Sequence, residues 1–214
     1  MENTDWGKAL EPLVKKYKGK QHPLDYKNVY QLLVMVILSA QDSDAHINKL
    51  APDLFHAFPD MEALATASSA DLEKYVGKVR NSAAKIGWIQ EIASQLLKDE
   101  NIPKNMKDLT ALKGVGRKSA NVILRESGQK AEGIMVDLHV LRVVDRLGIS
   151  HAKTGEKMEK DMMAVIPPAM WAEVGMAISF LGRETCRPTN PKHNECVVSK
   201  CCEYCKMHNP EQCN

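Results

Sequence analysis

The sequence of 214 residues predicts an all-α protein, because its apolar residues recur at helical spacing and no runs of alternating β-branched residues accompany them. One apolar stripe follows the i, i+3, i+4, i+7 pattern from Ile47 to Phe58. A second runs from Ile86 to Leu97, and a third from Val174 to Leu181. Each stripe gives a helix one apolar face, so we expect several helices to pack around a shared core.

The first strongly apolar element is the continuous run Leu32–Leu38, whose length alone fits a buried strand or a buried helix. We predict a helix, because the chain offers no second strand-like run to pair with it. A helix that is apolar on all sides belongs at the centre of a bundle. Farther along, we expect Pro52 to kink the Ile47–Phe58 helix, and Asn81 or Ser82 to cap the next stripe.

Composition excludes several classes of protein. Hydrophobic residues make up 44% and charged residues 26%, which argues against a disordered chain. The longest apolar run has seven residues, too few to cross a bilayer, and the first residues lack the apolar segment of a signal peptide. We therefore expect a protein that stays inside the cell, without a membrane partner. The net charge of +2 is too small to indicate a nucleic-acid partner.

All six cysteines lie between Cys186 and Cys213, and the first 185 residues contain none. A set of disulfides needs an oxidising compartment, so clustered cysteines in an intracellular protein favour metal ligands. The segment from Gly182 onward is also poor in apolar residues and cannot build a core of its own. We expect a metal site to hold it together.

The stretch LKGVGRKSA lies between two helical patterns and contains two glycines, Gly114 and Gly116. They permit a tight turn whose backbone N–H groups point outward at the start of a helix, which suits a phosphate, while Val115 enters the core. An ordinary helix–helix turn is the alternative. The next residues, Arg117 and Lys118, favour phosphate binding, because cations in a first helical turn oppose the helix dipole and bring no structural gain.

Three segments then carry a family resemblance: Leu112–Val122, Val136–Val143 and Leu38–Asp44. Together with the cysteine-rich end, they resemble the helix-hairpin-helix DNA glycosylases of the endonuclease III family, over essentially the whole chain. The resemblance implies a base-excision-repair enzyme, expected as a monomer, that acts on double-stranded DNA. Such an enzyme removes damaged, usually oxidised, pyrimidines and nicks the resulting abasic site.

The same resemblance implies two helical subdomains with a DNA-binding cleft between them. We expect a central bundle over residues 23–133, which includes the hairpin. Residues 1–22 and 134–214 are expected to form the second subdomain, with the cysteine loop attached. The resemblance places the active site at their junction, with Lys118 and Asp137 on opposite walls.

Lysine is the side chain that can attack the sugar C1′ and form a Schiff base, and the family's catalytic lysine matches Lys118. The family's catalytic aspartate matches Asp137, which precedes an apolar helical series and should also be that helix's N-cap. A carboxylate held at a helix start can stabilise an oxocarbenium ion and move protons. His139 is expected to orient Asp137 or a phosphate, with a purely structural role as the alternative.

The target base must leave the duplex before it reacts, and in this family a glutamine fills the space it leaves. That glutamine matches Gln41, and a second inserting side chain matches Val79. Asp44 matches an acidic position near the family's site, although its simplest role is to cap the Ile47–Phe58 helix. Leu138 stands where the family often has a small polar residue.

The family's iron–sulfur loop reads Cys-x6-Cys-x2-Cys-x5-Cys, whereas this chain aligns as Cys186, His193, Cys196 and Cys202. Histidine can bind cluster iron, so we expect a [4Fe–4S] cluster with three cysteines and one histidine. Two alternatives remain open at this point. One is a zinc or cluster site that uses the extra cysteines, for example Cys196, Cys202, Cys205 and Cys213, with Cys201 as a further competitor. The other is a metal-free loop.

Two other functions compete with the bifunctional enzyme. A glycosylase without lyase activity, such as the mismatch adenine glycosylases, lacks a lysine at the Lys118 position. It also carries a catalytic glutamate where this chain has Met35. A non-catalytic hairpin module would need Gly114 and Gly116 but gives no reason for Lys118 and Asp137 together.

Overall fold

The computed structural model describes residues 4–213, and these residues form twelve α-helices with no strand among them. The helices are α1 (Trp6–Lys16), α2 (Val29–Leu38), α3 (Asp44–Ala57), α4 (Met61–Thr66), α5 (Ser69–Val76), α6 (Ser82–Leu96), α7 (Met106–Ala111), α8 (Arg117–Glu126), α9 (Leu138–Leu147), α10 (Gly155–Val165), α11 (Trp171–Glu184) and α12 (Glu203–His208). The all-α prediction is confirmed. Within the described range, none of the helices is both long enough and apolar enough to cross a membrane.

Most helix starts are fixed by a local side chain that accepts a hydrogen bond from the first turn. These N-caps are Asp5, Asn28, Ser43, Asp60, Ser68, Asn105 and Asp137. The expected cap of α3 was wrong: the Ser43 hydroxyl accepts from the His46 amide, and Asp44 is the first helical residue. A carboxylate at that position still interacts favourably with the helix dipole.

The chain divides into two compact units, and the continuous one spans Gln21–Gln129 with helices α2 to α8. Its centre is α2, in which Leu32–Leu38 is at most 6% exposed and packs on α3, α6 and α8. A helix that is apolar on all sides is stable in this position because other helices surround α2.

The other unit combines residues 4–20 with residues 130–213, and it holds α1 and α9 to α12. Its core forms where α11 packs on α9 and α1. Close packing requires glycine at two points of α11. A Cβ at Gly175 would lie 2.5 Å from the Met135 carbonyl oxygen, and one at Gly182 would lie 2.9 Å from the His139 Cβ.

Candidate active site

The glycine hairpin connects the end of α7 to the start of α8 and is built mainly from backbone. Gly114 has φ +79°, and a Cβ there would lie 2.6 Å from the Trp88 ring. Val115 is 4% exposed and fills the core beneath the turn. Gly116 is the N-cap of α8 and is exposed, with open space where a side chain would lie. The first-turn amides of α8 therefore follow an exposed stretch of backbone, and an anion can approach them closely.

Lys118 lies in the first turn of α8 and is exposed, next to the half-buried Arg117. The rest of the helix is anchored: the residues from Ala120 to Leu124 are all buried, and α8 packs on α2 and α7. A long, exposed side chain on an anchored helix can reach a substrate while its backbone stays fixed.

Asp137 is held by defined donors at the start of α9. Its Oδ1 accepts from the Val140 amide at 2.8 Å, which confirms the N-cap prediction. Its Oδ2 accepts from the Ser179 hydroxyl at 2.7 Å, and the Arg183 Nη2 lies 3.9 Å from the same oxygen. With both oxygens fixed and the side chain 12% exposed, the carboxylate has one orientation.

Ser179 and Arg183 were missed by the sequence reasoning. Ser179 is fully buried in α11, 42 residues from Asp137 along the chain, and Arg183 lies one turn later. A serine inside an apolar helical stripe is the one available signal, because a buried hydroxyl needs a partner.

The two residues after Asp137 differ in their surroundings. Leu138 is 79% exposed, although it is a large apolar side chain. His139 is half-buried, and its Nδ1 lies 3.3 Å from the Arg142 Nη2, while Arg142 also donates to the Gly182 carbonyl at 2.9 Å. Through Arg142, His139 is connected to the end of α11.

The two residues predicted to insert into DNA lie in different environments. Gln41 is exposed and adopts a left-handed backbone with φ +60°. Val79 is 3% exposed, so its side chain belongs to the core in this conformation, whereas the neighbouring Lys78 and Arg80 are exposed. Insertion of Val79 into a duplex needs this loop to open first.

The four aligned cluster positions, Cys186, His193, Cys196 and Cys202, line one small cavity of about 20 Å³. His193 is 8% exposed, and its Nε2 is buried with no hydrogen-bond partner among the described residues. Burial lowers the pKa of His193, and nearby Arg146 acts in the same direction. Burial, together with the neighbouring Cys186 and Cys202, raises the pKa of Cys196 to about 11. Neutral imidazole nitrogen and converging thiols are the donors that iron–sulfur chemistry uses.

The remaining cysteines are arranged differently. Cys205 and Cys213 form a disulfide with their Cα atoms 6.1 Å apart, so this pair does not offer two free thiols to a metal. No group of three or more His, Cys, Asp or Glu side chains within residues 4–213 has the geometry to hold a single metal ion. Four ligands of a [4Fe–4S] cluster bind four different irons and lie farther apart than the ligands of one zinc ion. The described residues therefore form no ready-made zinc site.

Comparisons with known proteins identify the family. A family model of the HhH-GPD superfamily of base excision DNA repair proteins matches residues 34–168. A curated endonuclease III from Synechocystis sp. is 37% identical over 89% of this chain and 88% of its own length. The chain belongs to the endonuclease III family. The resemblance carried by the hairpin and the Val136–Val143 segment is confirmed.

Other relatives of the endonuclease III family extend the match. The endonuclease III of Escherichia coli (strain K12) is 29% identical over 92% of this chain and 95% of its own length. A solved structure of a trapped endonuclease III–DNA covalent intermediate is 29% identical, with a TM-score of 0.82, and the match covers 94% of this chain and 95% of that chain. The two-subdomain helical fold of this family is therefore the fold of the present chain.

Proposed function

We propose that the protein is a base-excision-repair DNA glycosylase with AP lyase activity, which removes oxidised pyrimidines from double-stranded DNA and nicks the abasic site. The observation that carries this proposal is the exposed Lys118 on the first turn of α8, directly after a glycine hairpin whose backbone is exposed at Gly116. The chain belongs to a family of base excision DNA repair proteins, which supports the same conclusion. We expect the enzyme to act as a monomer in the compartment that holds the genome.

Lys118 is the proposed nucleophile and Asp137 the proposed charge-stabilising and proton-moving carboxylate. The Lys118 amine forms a bond to C1′ while the glycosidic bond breaks, and the base leaves with the bonding electrons and a proton. Opening of the sugar ring gives a Schiff base. Loss of a C2′ proton then expels the 3′ phosphate, and water hydrolyses the imine to release the enzyme.

The proposed roles of Asp137 follow from its fixed orientation. Its Oδ1 and Oδ2 each accept a short hydrogen bond, from Val140 and Ser179 respectively. A carboxylate that is already oriented need not reorganise when positive charge develops on the sugar, and this is the condition for electrostatic stabilisation.

DNA contacts are assigned to the exposed backbone and to nearby side chains. Gly114, Val115 and Gly116 shape the hairpin, and its amides bind a phosphate together with Arg117. Gln41 is assigned to the space that the extruded nucleotide leaves. His139 is assigned to phosphate binding or to orienting Asp137, since its ring nitrogen lies beside Arg142. Val79 keeps its assignment as a second inserting residue only if its loop opens.

A [4Fe–4S] cluster is proposed as a structural cofactor held by Cys186, His193, Cys196 and Cys202. When bound, it cross-links a segment that has little apolar core, and it takes no part in the reaction steps above. Within residues 4–213 the buried Nε2 of His193 has no hydrogen-bond partner, which supports its assignment as the fourth ligand. Freshly purified protein should then be brown and contain about four irons per chain. His193→Ala should lower that ratio, while a control change at the exposed His151 should leave it unchanged.

The described residues give less support to the two alternative functions, a monofunctional glycosylase and a non-catalytic binding module. Met35, which stands at the position of the mismatch adenine glycosylases' glutamate, is fully buried within α2. A non-catalytic binding module does not explain the hydrogen-bonded Asp137 and the exposed Lys118.

Borohydride trapping on a duplex with an abasic site tests the proposed function. The reagent reduces a Schiff base to a stable amine, so the wild-type protein should become covalently attached to DNA and Lys118→Ala should not. A matched control is Lys113→Ala, since Lys113 is exposed on the same hairpin and pairs with Glu91. Base release without an adduct would indicate a monofunctional glycosylase. An absence of both activities would leave only a DNA-binding module.

A further inference from the structure

Two loops of the unit spanning Gln21–Gln129 share an unusual backbone. The Gln41 loop (residues 39–43) joins α2 to α3, and the Arg80 loop (residues 77–81) joins α5 to α6. Gln41 has φ +60° and Asn81 has φ +58°, although neither is glycine. Non-glycine residues rarely adopt this conformation, and they keep it only where the surrounding structure imposes it. Two polar side chains, Lys85 and Asp42, make hydrogen bonds on either side of Gln41.

Lys85 of α6 holds the N-terminal side of Gln41. It is 2% exposed, and its Nζ donates to the carbonyl oxygens of Leu38 and Ala40, both at 2.7 Å. Leu38 ends α2, where carbonyls lack helical partners, and Ala40 directly precedes Gln41. Burial lowers the pKa of Lys85, and the charge of Asp42 counteracts that effect.

Asp42 holds the C-terminal side of Gln41 and also connects the two loops. Its Oδ1 accepts from the Ser43 amide at 2.8 Å and from the His46 Nδ1 at 2.9 Å. Its Oδ2 accepts from the backbone amide of Arg80 at 3.0 Å, across 38 residues of sequence. Although burial opposes ionisation, these hydrogen bonds hold the pKa of Asp42 down at about 2.

Core packing alone does not explain a lysine at position 85. The other buried residues of α6 are all apolar: Ile86, Ile89, Ile92, Ala93 and Leu96. An apolar residue at this position would fill space without the cost of burying an amine. What the amine adds is the pair of hydrogen bonds to the backbone that leads into Gln41.

We propose that Lys85 and Asp42 are positioning residues that fix the exposed Gln41 in its left-handed conformation, ready to enter a DNA duplex. The inference rests on the proposed role of Gln41 in filling the vacated space. A loop held in its binding conformation before DNA arrives loses less conformational entropy on binding. Lys85 and Asp42 therefore act through the backbone of Gln41 and do not contact DNA themselves.

The test uses a duplex that carries a tetrahydrofuran abasic-site analogue opposite 2-aminopurine, whose fluorescence rises when it is unstacked. At saturating full-length protein, the wild type should raise the fluorescence, and Gln41→Ala should lose about half of that rise or more. Lys85→Met and Asp42→Ala should lose a similar share. Their matched controls should keep it: Tyr30→Phe removes a buried bond to the Phe58 carbonyl, and Asp60→Ala removes an N-cap.

The outcomes separate the inference from the function on which it rests. If Gln41→Ala has no effect, the proposed role of Gln41 fails. If Gln41→Ala loses the signal while Lys85→Met and Asp42→Ala keep it, the positioning inference is overturned. Should Lys85→Met fail to fold, Asp42→Ala carries the test through a double-mutant cycle with Gln41→Ala. Non-additive losses support positioning, and fully additive losses contradict it.

Discussion

The hairpin around Gly114 and the start of α9 around Asp137 are two ways to build a functional site. The hairpin depends on backbone conformation and on one close contact, that of Gly114 with Trp88. The Asp137 site depends on side-chain donors, chiefly Ser179 from a distant part of the chain. A site of the first kind is visible in a short stretch of sequence. A site of the second kind depends on which helices pack together.

Among substitutions at the two kinds of site, we expect the largest effect at Asp137. Asp137→Asn keeps an acceptor for the N-cap of α9 but loses the negative charge, so the fold should persist while catalysis falls by about 100-fold to 10,000-fold. Single-turnover rates and gel-shift affinities measure the two properties. The control is Asp60→Asn, a change at another N-cap. Equal losses of affinity and rate would contradict a catalytic role.

At the hairpin, by contrast, we expect a substitution to destabilise the fold through backbone strain. Gly114→Ala combines an unfavourable positive φ with a clash against Trp88, and we expect a loss of about 2–3 kcal/mol in the free energy of unfolding. Gly128→Ala is the matched control, because Gly128 has φ +68° and no neighbour near the added Cβ. Thermal or urea denaturation compares the two. Equal losses would show that the Trp88 contact contributes nothing.

A smaller effect is expected where the Asp137 site uses its distant donor. Ser179→Ala removes the bond to Asp137 Oδ2 and should slow base release about tenfold, because the carboxylate gains rotational freedom. Ser127→Ala removes a hydroxyl bonded to the Ile123 carbonyl and should leave the rate unchanged. An unchanged rate in Ser179→Ala would mean that Val140 and Arg183 suffice to orient Asp137.

The smallest effect concerns Asp42, a second carboxylate held by donors. Its folded pKa of about 2 lies below the ordinary 3.8, so ionised Asp42 stabilises the fold above pH 3.8, and this stabilisation is lost as the pH falls toward 2. Between pH 6 and pH 3 the loss should be about 1 kcal/mol. Urea denaturation at both pH values should show a smaller drop for Asp42→Ala than for the wild type. An identical drop in the free energy of unfolding would contradict the low pKa of Asp42.

The same contrast explains how much was predictable from sequence. Helical periodicity identified α3, α6 and α11, and glycine chemistry identified the hairpin, because both signals lie within a dozen residues. Asp137 was predictable as an N-cap for the same reason. Ser179 was not, since its bond to Asp137 joins residues that only packing of α11 on α9 brings together.

Lys85 shows more clearly what could not be predicted from the sequence. In sequence it is one lysine at the start of an amphipathic helix, where an exposed side chain is the ordinary expectation. In the fold it is buried against carbonyls more than forty residues away. Val79 shows the reverse difference, because a residue predicted to insert into DNA is buried in the core in this conformation.

Mass-spectrometric mapping of a borohydride-trapped adduct tests the central claim most directly. After nuclease and protease digestion, the reduced sugar remnant should be found on the peptide that contains Lys118, and on no other lysine of the chain. A remnant on a different lysine or on the N-terminal amine would contradict the account, even if the protein cuts abasic DNA.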